Sequence, residues 1–210
     1  MIDYVYNVED YVGHNELKAM TAICHDELKN VNFEMLINEL TNAKKDSWES
    51  WRYSTGNADK LVDFVDGVTD GIINPLEEGV GSWLFLILFS IEPECVINSI
   101  IKKTFPRTVD AVNKLPGIVH AHLNKISPHF RVPPHVDDPE GRIKSIIVTF
   151  KISNTSPELV TLDVTGNKHN FKDVEYFVFE SRKEHYADNL SDSDWVLMSL
   201  QIKNEYFKNV

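Results

Sequence analysis

The second half of the chain is a series of short segments rich in β-branched and aromatic residues, and this pattern limits the fold more than any other feature. The segments cover residues 118–126, 143–152, 159–164, 174–179 and 195–202. Clusters of Gly, Pro, Asn or Asp separate them, and the first begins just after Pro116-Gly117. Short strands with turn residues between them are typical of antiparallel sheets. The sequence therefore predicts an antiparallel sandwich or barrel from about residue 117 onwards.

The first half of the chain has a different pattern and is predicted to be mainly helical. Apolar residues recur there mostly at helical spacing, at Leu28, Val31, Met35, Leu36 and Leu40. A second helix is predicted over residues 95–103, before Pro106. The apolar run 83–91 is too short to span a membrane, so we expect it to pack on the sheet. The aromatic stretch 48–53 is predicted to pack against the sheet or to face substrate.

These two halves are predicted to form a single domain over residues 1–210, since 210 residues suit one core and no linker-like stretch divides them. Residues 1–116 would be the helical support that also shapes the substrate entrance. Residues 117–210 would form the core with the functional site.

Charge and cysteine content narrow the choice of partner and compartment. The formal net charge of -11 argues against nucleic acid as a partner and leaves small molecules or peptidyl substrates. Cys24 and Cys95 lack the spacing of a zinc or redox motif. The N-terminus has no signal-peptide pattern, and no segment is long enough to cross a membrane. We therefore expect a cytoplasmic protein with no membrane association.

The pair His135-Val136-Asp137 is the main candidate for chemistry. It lies at the predicted start of a strand, where residues two apart point to the same side. His185 follows shortly before the strand predicted at 195–202. Two imidazoles and one carboxylate on one side of an ion leave positions open for other ligands, as non-haem Fe(II) oxygenases require. The sequence thus predicts His135, Asp137 and His185 as catalytic metal ligands.

Other histidines are weaker candidates. About one His-x-acid pair is expected from this composition by chance, and the chain has three. The pairs that begin at His14 and His25 lie in predicted helical or polar segments, where residues two apart point in different directions. His120 and His122 share a predicted strand face. They are alternative metal ligands, or else part of a hydrogen-bonded core or of a pocket wall.

Two segments around these ligands resemble a known family. They are 121–137 (AHLNKISPHFRVPPHVD) and 180–192 (ESRKEHYADNLSD). The first is similar to the lead-in to the first metal motif of aspartyl/asparaginyl β-hydroxylase-like enzymes, a branch that includes bacterial proline hydroxylases. The second resembles the segment that carries their distal histidine. The likeness covers about residues 118–202.

The resemblance implies an α+β protein whose core is a double-stranded β-helix, a cupin-like jelly roll, braced by N-terminal helices. It also implies Fe(II) bound by His135, Asp137 and His185, with 2-oxoglutarate as cosubstrate. In such enzymes dioxygen and 2-oxoglutarate give succinate, CO2 and a hydroxylated substrate. The chain is accordingly predicted to be an Fe(II)- and 2-oxoglutarate-dependent dioxygenase acting on an amino acid, a peptidyl side chain or another small metabolite.

The sequence departs from the family pattern at one position. Proline-hydroxylase-like members carry an arginine about ten residues after the distal histidine, where this chain has Trp195. The far carboxylate of 2-oxoglutarate still needs a cation. Lys144, and next Arg142, are predicted to supply it, with Asn124 as a further cosubstrate contact. Asn189 is predicted to orient the distal segment, as support for the site.

Two alternatives remain open at this point. A cupin-like metalloenzyme that does not use 2-oxoglutarate would have the same fold, because the jelly roll hosts many chemistries. A metal-free jelly-roll binding module would have the same strand pattern, with His135 and His185 incidental.

Overall fold

The structure is a computed structural model that describes residues 7–32, 35–36, 83–90, 99–137, 144–152, 156–172 and 174–208. The helices are α1 (His14–Leu28), α2 (Ser99–Thr104) and α3 (Pro106–Val112). Short 3-10 turns lie at Val8–Asp10, Pro157–Leu159 and Asn204–Tyr206. The strands are β1 (Trp83–Ser90), β2 (Ile118–Ile126), β3 (Phe130–His135), β4 (Ser145–Lys151), β5 (Val160–Val164), β6 (Asn167–Asn170), β7 (Tyr176–Glu180), β8 (His185–Asn189) and β9 (Trp195–Lys203).

The strands form two antiparallel sheets that exchange the chain between them. The larger sheet has the order β1-β2-β9-β4-β7, and the smaller has the order β3-β8-β5-β6. From β2 to β9 the chain passes back and forth between the sheets, with only β5 and β6 consecutive in one sheet. This order is that of a double-stranded β-helix, so the predicted α+β jelly roll is confirmed.

The sheets face each other across an apolar core. This core is a single buried cluster to which both sheets contribute: Ile126, Phe130, Val132, Ile147, Val160, Leu162, Val164, Phe171, Phe177, Phe179, Ala187, Trp195 and Leu197. We call the side of the larger sheet that faces the smaller one its inner face. On β4 the odd-numbered Ile147 lies on the inner face, whereas Ile146 and Val148 belong to a second cluster outside the barrel.

This second cluster joins the helices to the outer face of the larger sheet. It includes Leu17 and Met20 of α1, Val109 of α3, and Leu86 and Leu88 of β1. The carboxylate of Glu27 accepts hydrogen bonds from the backbone N–H groups of Arg107 and Thr108, at 2.9 and 3.0 Å, and so caps α3. The described helices therefore share a core with the barrel. Among the described residues, no helix has the length and apolar character needed to cross a membrane.

The apolar run 83–91 differs from the expectation. Residues Trp83–Ser90 do not pack on the sheet but form its edge strand, β1, antiparallel to β2. Leu86 and Leu88 pack on the helix side, and pairing with β2 satisfies the backbone of an otherwise costly apolar segment. Over 95–103 only Ser99–Thr104 is seen as a helix, since residues 91–98 lie outside the described part. The aromatic stretch 48–53 lies outside it too.

One glycine has a conformation that other residues rarely adopt. Gly117 precedes β2 with φ +70, and a Cβ there would lie 2.2 Å from Cδ2 of Tyr206. Next to it, the hydroxyl of Tyr11 donates to the carbonyl of Pro116 at 2.5 Å. The Pro116-Gly117 turn thus lets the chain enter the barrel against its C-terminal segment.

Candidate metal centre

The structure brings together the three side chains that the sequence predicts as metal ligands. His135 is the last residue of β3, His185 is the first residue of β8, and the two are cross-strand partners. Asp137 lies two residues beyond the end of β3. Its Oδ1 is 3.7 Å from Nε2 of His135, and its Oδ2 is 3.4 Å from Nε2 of His185. One carboxylate therefore lies between two imidazoles.

The geometry arises differently from the prediction. The strand β3 ends at His135 rather than beginning there, so shared strand parity is not what places Asp137 beside it. The chain bends after His135 and returns the carboxylate toward both rings. His185 also opens a strand of its own, β8, which the sequence analysis missed.

The ring of His185 is fixed in orientation by a backbone contact. Its Nδ1 lies 2.9 Å from the carbonyl oxygen of Lys183, and because that oxygen only accepts, Nδ1–H is the donor. Nε2 is then the nitrogen left for the Asp137 side. The ring of Phe179 packs against His185 with centroids 4.8 Å apart. Both contacts hold His185 in one orientation.

The three groups fit the chemistry of a divalent transition metal. One ligand atom from each lies within 4.8 Å of the other two. The side chain of His185 is 8% exposed, whereas those of His135 and Asp137 are 23% and 24% exposed. Among the described residues, no other group of three His, Cys, Asp or Glu residues meets this criterion. A set of two imidazoles and one carboxylate is the set that suits Fe(II) with open positions.

His120 and His122 lie beside this group on β2 but are not part of it. Their rings are 5.1 Å apart, and both residues are buried. Burial lowers the pKa of His120 to about 4, partly offset by the charge of Asp137. Burial also lowers the pKa of His122 well below its usual value, with His120, His135 and His185 adding to the effect. Two neutral imidazoles thus form part of the pocket wall.

Further polar side chains continue this wall along the inner face. Nδ2 of Asn124 is 3.5 Å from Oγ of Ser199, which lies 3.1 Å from Oγ1 of Thr149. Nearer the open end, Nε2 of Gln201 donates to Oγ of Ser145 at 2.7 Å, and Ser145 in turn donates to Oγ of Ser181 at 2.9 Å. These hydroxyl and amide groups are buried or half-buried in the same end of the barrel as the three ligands.

The residues predicted to bind the cosubstrate have mixed positions. Asn124 is buried on the inner face, within the polar wall. Lys144 is exposed just before β4, and its even number places it in phase with Ile146 and Val148, which face away from the barrel interior. This placement argues against Lys144 as the predicted carboxylate clamp. Arg142 lies outside the described residues.

Asn189 and Trp195 lie at the end of the barrel opposite the proposed metal ligands. The amide of Asn189 donates to the carbonyl oxygens of Ile126, Ser127 and Ser193, at the end of β8 opposite His185. It therefore holds the end of the distal segment against two loops, at a distance from His185 itself. Trp195, which replaces the family's arginine, is fully buried in the barrel core against Phe171, with ring centroids 5.3 Å apart.

Comparison with protein families decides the affiliation of the chain. The family model for aspartyl/asparaginyl β-hydroxylase matches residues 30–205. The chain belongs to the aspartyl/asparaginyl β-hydroxylase family. The match begins well before residue 118, so the family likeness extends into the first half and is longer than the sequence analysis estimated. No curated protein matches the chain. Family membership and the three-ligand group make it a hydroxylase-like or cupin-type metalloenzyme.

Solved structures similar to this family member include several cupins. The cupin domain of Cnp3 from Schizosaccharomyces pombe is 10% identical, with a TM-score of 0.38, covering 63% of this chain and 70% of that one. A predicted oxalate decarboxylase from Thermotoga maritima is 13% identical, with a TM-score of 0.39, covering 62% of this chain and 89% of that one.

Several residues of the polar wall were missed by the sequence analysis. A signal was present on β9, where Ser199, Gln201 and Lys203 alternate with apolar residues. Such alternation in a strand indicates one polar face. The alternation was hard to recognise because β9 begins with consecutive apolar residues from Trp195 to Leu197. Such a run is typical of a strand that is buried on both faces.

Proposed function

We propose that this chain is an Fe(II)- and 2-oxoglutarate-dependent hydroxylase that acts on an amino acid, a peptidyl side chain or another small metabolite. The observation that carries the proposal is the convergence of His135, Asp137 and His185 at the polar end of a jelly roll. These three residues would hold the metal. When bound, Fe(II) supplies dioxygen activation coupled to oxidative decarboxylation of 2-oxoglutarate, one oxygen atom ending in the product hydroxyl and the other in succinate.

The residues of the chain would orient the reactants and exclude water from them. The Lys183 carbonyl fixes His185 so that Nε2 is free for the metal. His120 and His122 are neutral near pH 7, so they add no positive charge next to a cation. Trp195 and Phe171 fill the apolar closed end of the barrel and would keep water from entering the site from that end.

The cosubstrate would lie along the polar wall, with hydrogen bonds from Asn124, Thr149 and Ser199. Its far carboxylate needs a cation, and Lys144 is exposed and in phase with residues that face the helices. Lys203 is better placed. It ends β9 in phase with Ser199 and Gln201, pairs with Ser145 across the strands, and is half-buried. We propose Lys203 as the clamp.

A substitution of the bridging carboxylate tests the proposed function. Asp137→Ala should weaken Fe(II) binding by at least about tenfold, since it removes the anionic ligand between two imidazoles. It should also abolish succinate formation from 2-oxoglutarate. Metal binding is measured by anaerobic titration, and succinate by NMR, with the purified full chain.

Asp192→Ala is the matched control, because Asp192 is an exposed aspartate that contacts only the exposed His129 among the pairs seen. It should leave both measurements unchanged. Metal binding without succinate formation in the unsubstituted protein, across candidate substrates, would favour a cupin-type enzyme that does not use 2-oxoglutarate. Absence of metal binding would favour a binding module and sink the proposal.

A further inference from the structure

The strand that carries His135 has a weak point immediately before it. The register between β3 and β8 is regular from Phe130 to Val132 and shifts before His135, so β3 has a bulge there. The two residues in the bulge are Pro133 and Pro134. Neither has a backbone N–H, so neither can donate to the ladder with β8. Between Val132 and His135 the backbone of β3 therefore donates no hydrogen bond to β8.

A salt-bridge network lies just upstream of the bulge, on the outer side of the smaller sheet. Nε and Nη2 of Arg131 donate to the two oxygens of Asp188, at 2.5 and 3.0 Å. Nζ of Lys168 reaches the same carboxylate at 3.0 Å. Arg131 and Asp188 are direct cross-strand partners on β3 and β8, and Lys168 belongs to β6. The network thus spans the sheet.

The burial of this network indicates that its geometry is fixed. The Asp188 side chain is 2% exposed although the Arg131 and Lys168 side chains that cover it are 40% and 48% exposed. The guanidinium also lies over the ring of Tyr186, 5.0 Å from its centroid. A buried carboxylate that loses a partner is strongly disfavoured. A slip of β3 against β8 would separate the fork of Arg131 from Asp188.

We propose that Arg131 and Asp188 are positioning residues for the metal centre: their paired hydrogen bonds lock the β3–β8 register that keeps His135 opposite His185. A slip of one residue in a strand turns each side chain to the other face of the sheet. In this case the slip would turn His135 away from His185. The inference rests on the proposed metal site for its consequence, but the register lock itself does not depend on metal.

The first test measures metal affinity. Arg131→Met keeps much of the side-chain length and removes the charged fork. It should weaken Co(II) or Fe(II) binding roughly 10- to 100-fold, measured well below the melting temperature so that the protein is folded. Arg131→Lys keeps one charged contact and should recover part of the loss. Lys125→Met is the matched control, because it breaks the Lys125–Asp194 ion pair elsewhere on the barrel. It should leave metal affinity unchanged.

The second test reads the register without metal. Cysteines introduced by His135→Cys and His185→Cys are at paired positions of neighbouring strands and should form a disulfide on mild oxidation, located by peptide mapping. Adding Arg131→Met should lower the yield of this disulfide several-fold, while Lys125→Met should not. An unchanged yield with Arg131→Met overturns the inference, whatever the metal results. A lowered yield in a protein that binds no metal would support the register lock and reject only the proposed function.

Discussion

The two ends of the barrel are built from different kinds of side chain although the same strands run through both. At the closed end, Ile126, Phe130, Phe171 and Trp195 fill the space between the sheets. At the mouth, four to eight residues along the same strands, the inner face carries His120, His122, Ser145, Ser199 and Gln201, opposite the three proposed metal ligands. The two ends therefore differ in what they contribute. Burial of apolar side chains at the closed end stabilises the fold, whereas burial of polar side chains at the mouth costs stability but forms the proposed site.

The largest effect is expected from breaking the closed end. Trp195→Ala removes a fully buried indole that packs on Phe171, and should lower the free energy of unfolding by about 3–5 kcal/mol. Metal affinity, measured at a temperature where the variant is folded, should stay within a few-fold of the unsubstituted value. Trp195→Phe should be milder. Urea unfolding and metal titration check the two parts. A Trp195→Ala protein that is folded but cannot bind metal would contradict the division between the two ends.

The buried histidines at the mouth should make the stability of the protein depend on pH. Burial depresses the pKa of His120 to about 4 in the folded protein, below the 6.5 of an ordinary histidine. Between these two pH values the unfolded chain binds a proton that the folded chain does not. The contribution of His120 to the free energy of unfolding is therefore fully present above pH 6.5 and is lost as the pH falls toward 4. The loss from His120 is about 1.4 kcal/mol per pH unit, or about 3 kcal/mol over the window.

His120→Gln should remove this contribution and flatten the curve, while His122 keeps a slope of the same sign because its pKa is lowered as well. Urea unfolding of metal-free protein between pH 7 and pH 4.5 measures both slopes. Trp195→Phe provides the control, since it alters the closed end without removing a titrating group and should preserve the slope. If stability depended on pH equally in the unsubstituted protein and in His120→Gln, His120 would not be buried in the folded protein as the structure indicates.

The sequence predicted strands with many apolar residues better than it predicted polar ones. The bounds of β2, Ile118–Ile126, were predicted as observed, because the segment is rich in β-branched residues and begins after a Pro-Gly turn. By contrast, β8 reads His-Tyr-Ala-Asp-Asn and was missed. It is stable as a strand because its polar outer residues find partners on neighbouring strands, as Asp188 does with Arg131. Such partners are invisible to a local pattern.

The same limitation applies to the prediction of Lys144 as the carboxylate clamp. On β4, Ile146, Ile147 and Val148 are all buried, because one face packs on the helices and the other on the smaller sheet. With both faces apolar, parity alone cannot say which side is the barrel interior. The convergence of His135, Asp137 and His185 was easier to predict, since histidine and aspartate at the family's spacing indicate it whichever face they lie on. The sequence thus predicted which side chains come together better than it predicted the wall around them.

The smallest expected effect distinguishes Lys203, the proposed clamp for 2-oxoglutarate, from Lys144, which the sequence predicts for that role. Lys203 ends β9 at the mouth, in phase with the polar wall, whereas Lys144 is exposed in phase with the helix side. Lys203→Met should raise the 2-oxoglutarate concentration needed for half-maximal succinate formation about tenfold or more, since a charge-assisted hydrogen bond contributes about 1.5–3 kcal/mol. Fe(II) affinity and stability should change little, because Lys203 is half-buried and is not among the three proposed metal ligands. Lys144→Met is the matched control, the same substitution on the other face, and should leave the requirement unchanged. The reverse result, with Lys144→Met impaired and Lys203→Met normal, would mean that the cosubstrate approaches from the helix side and that the polar mouth serves the substrate alone.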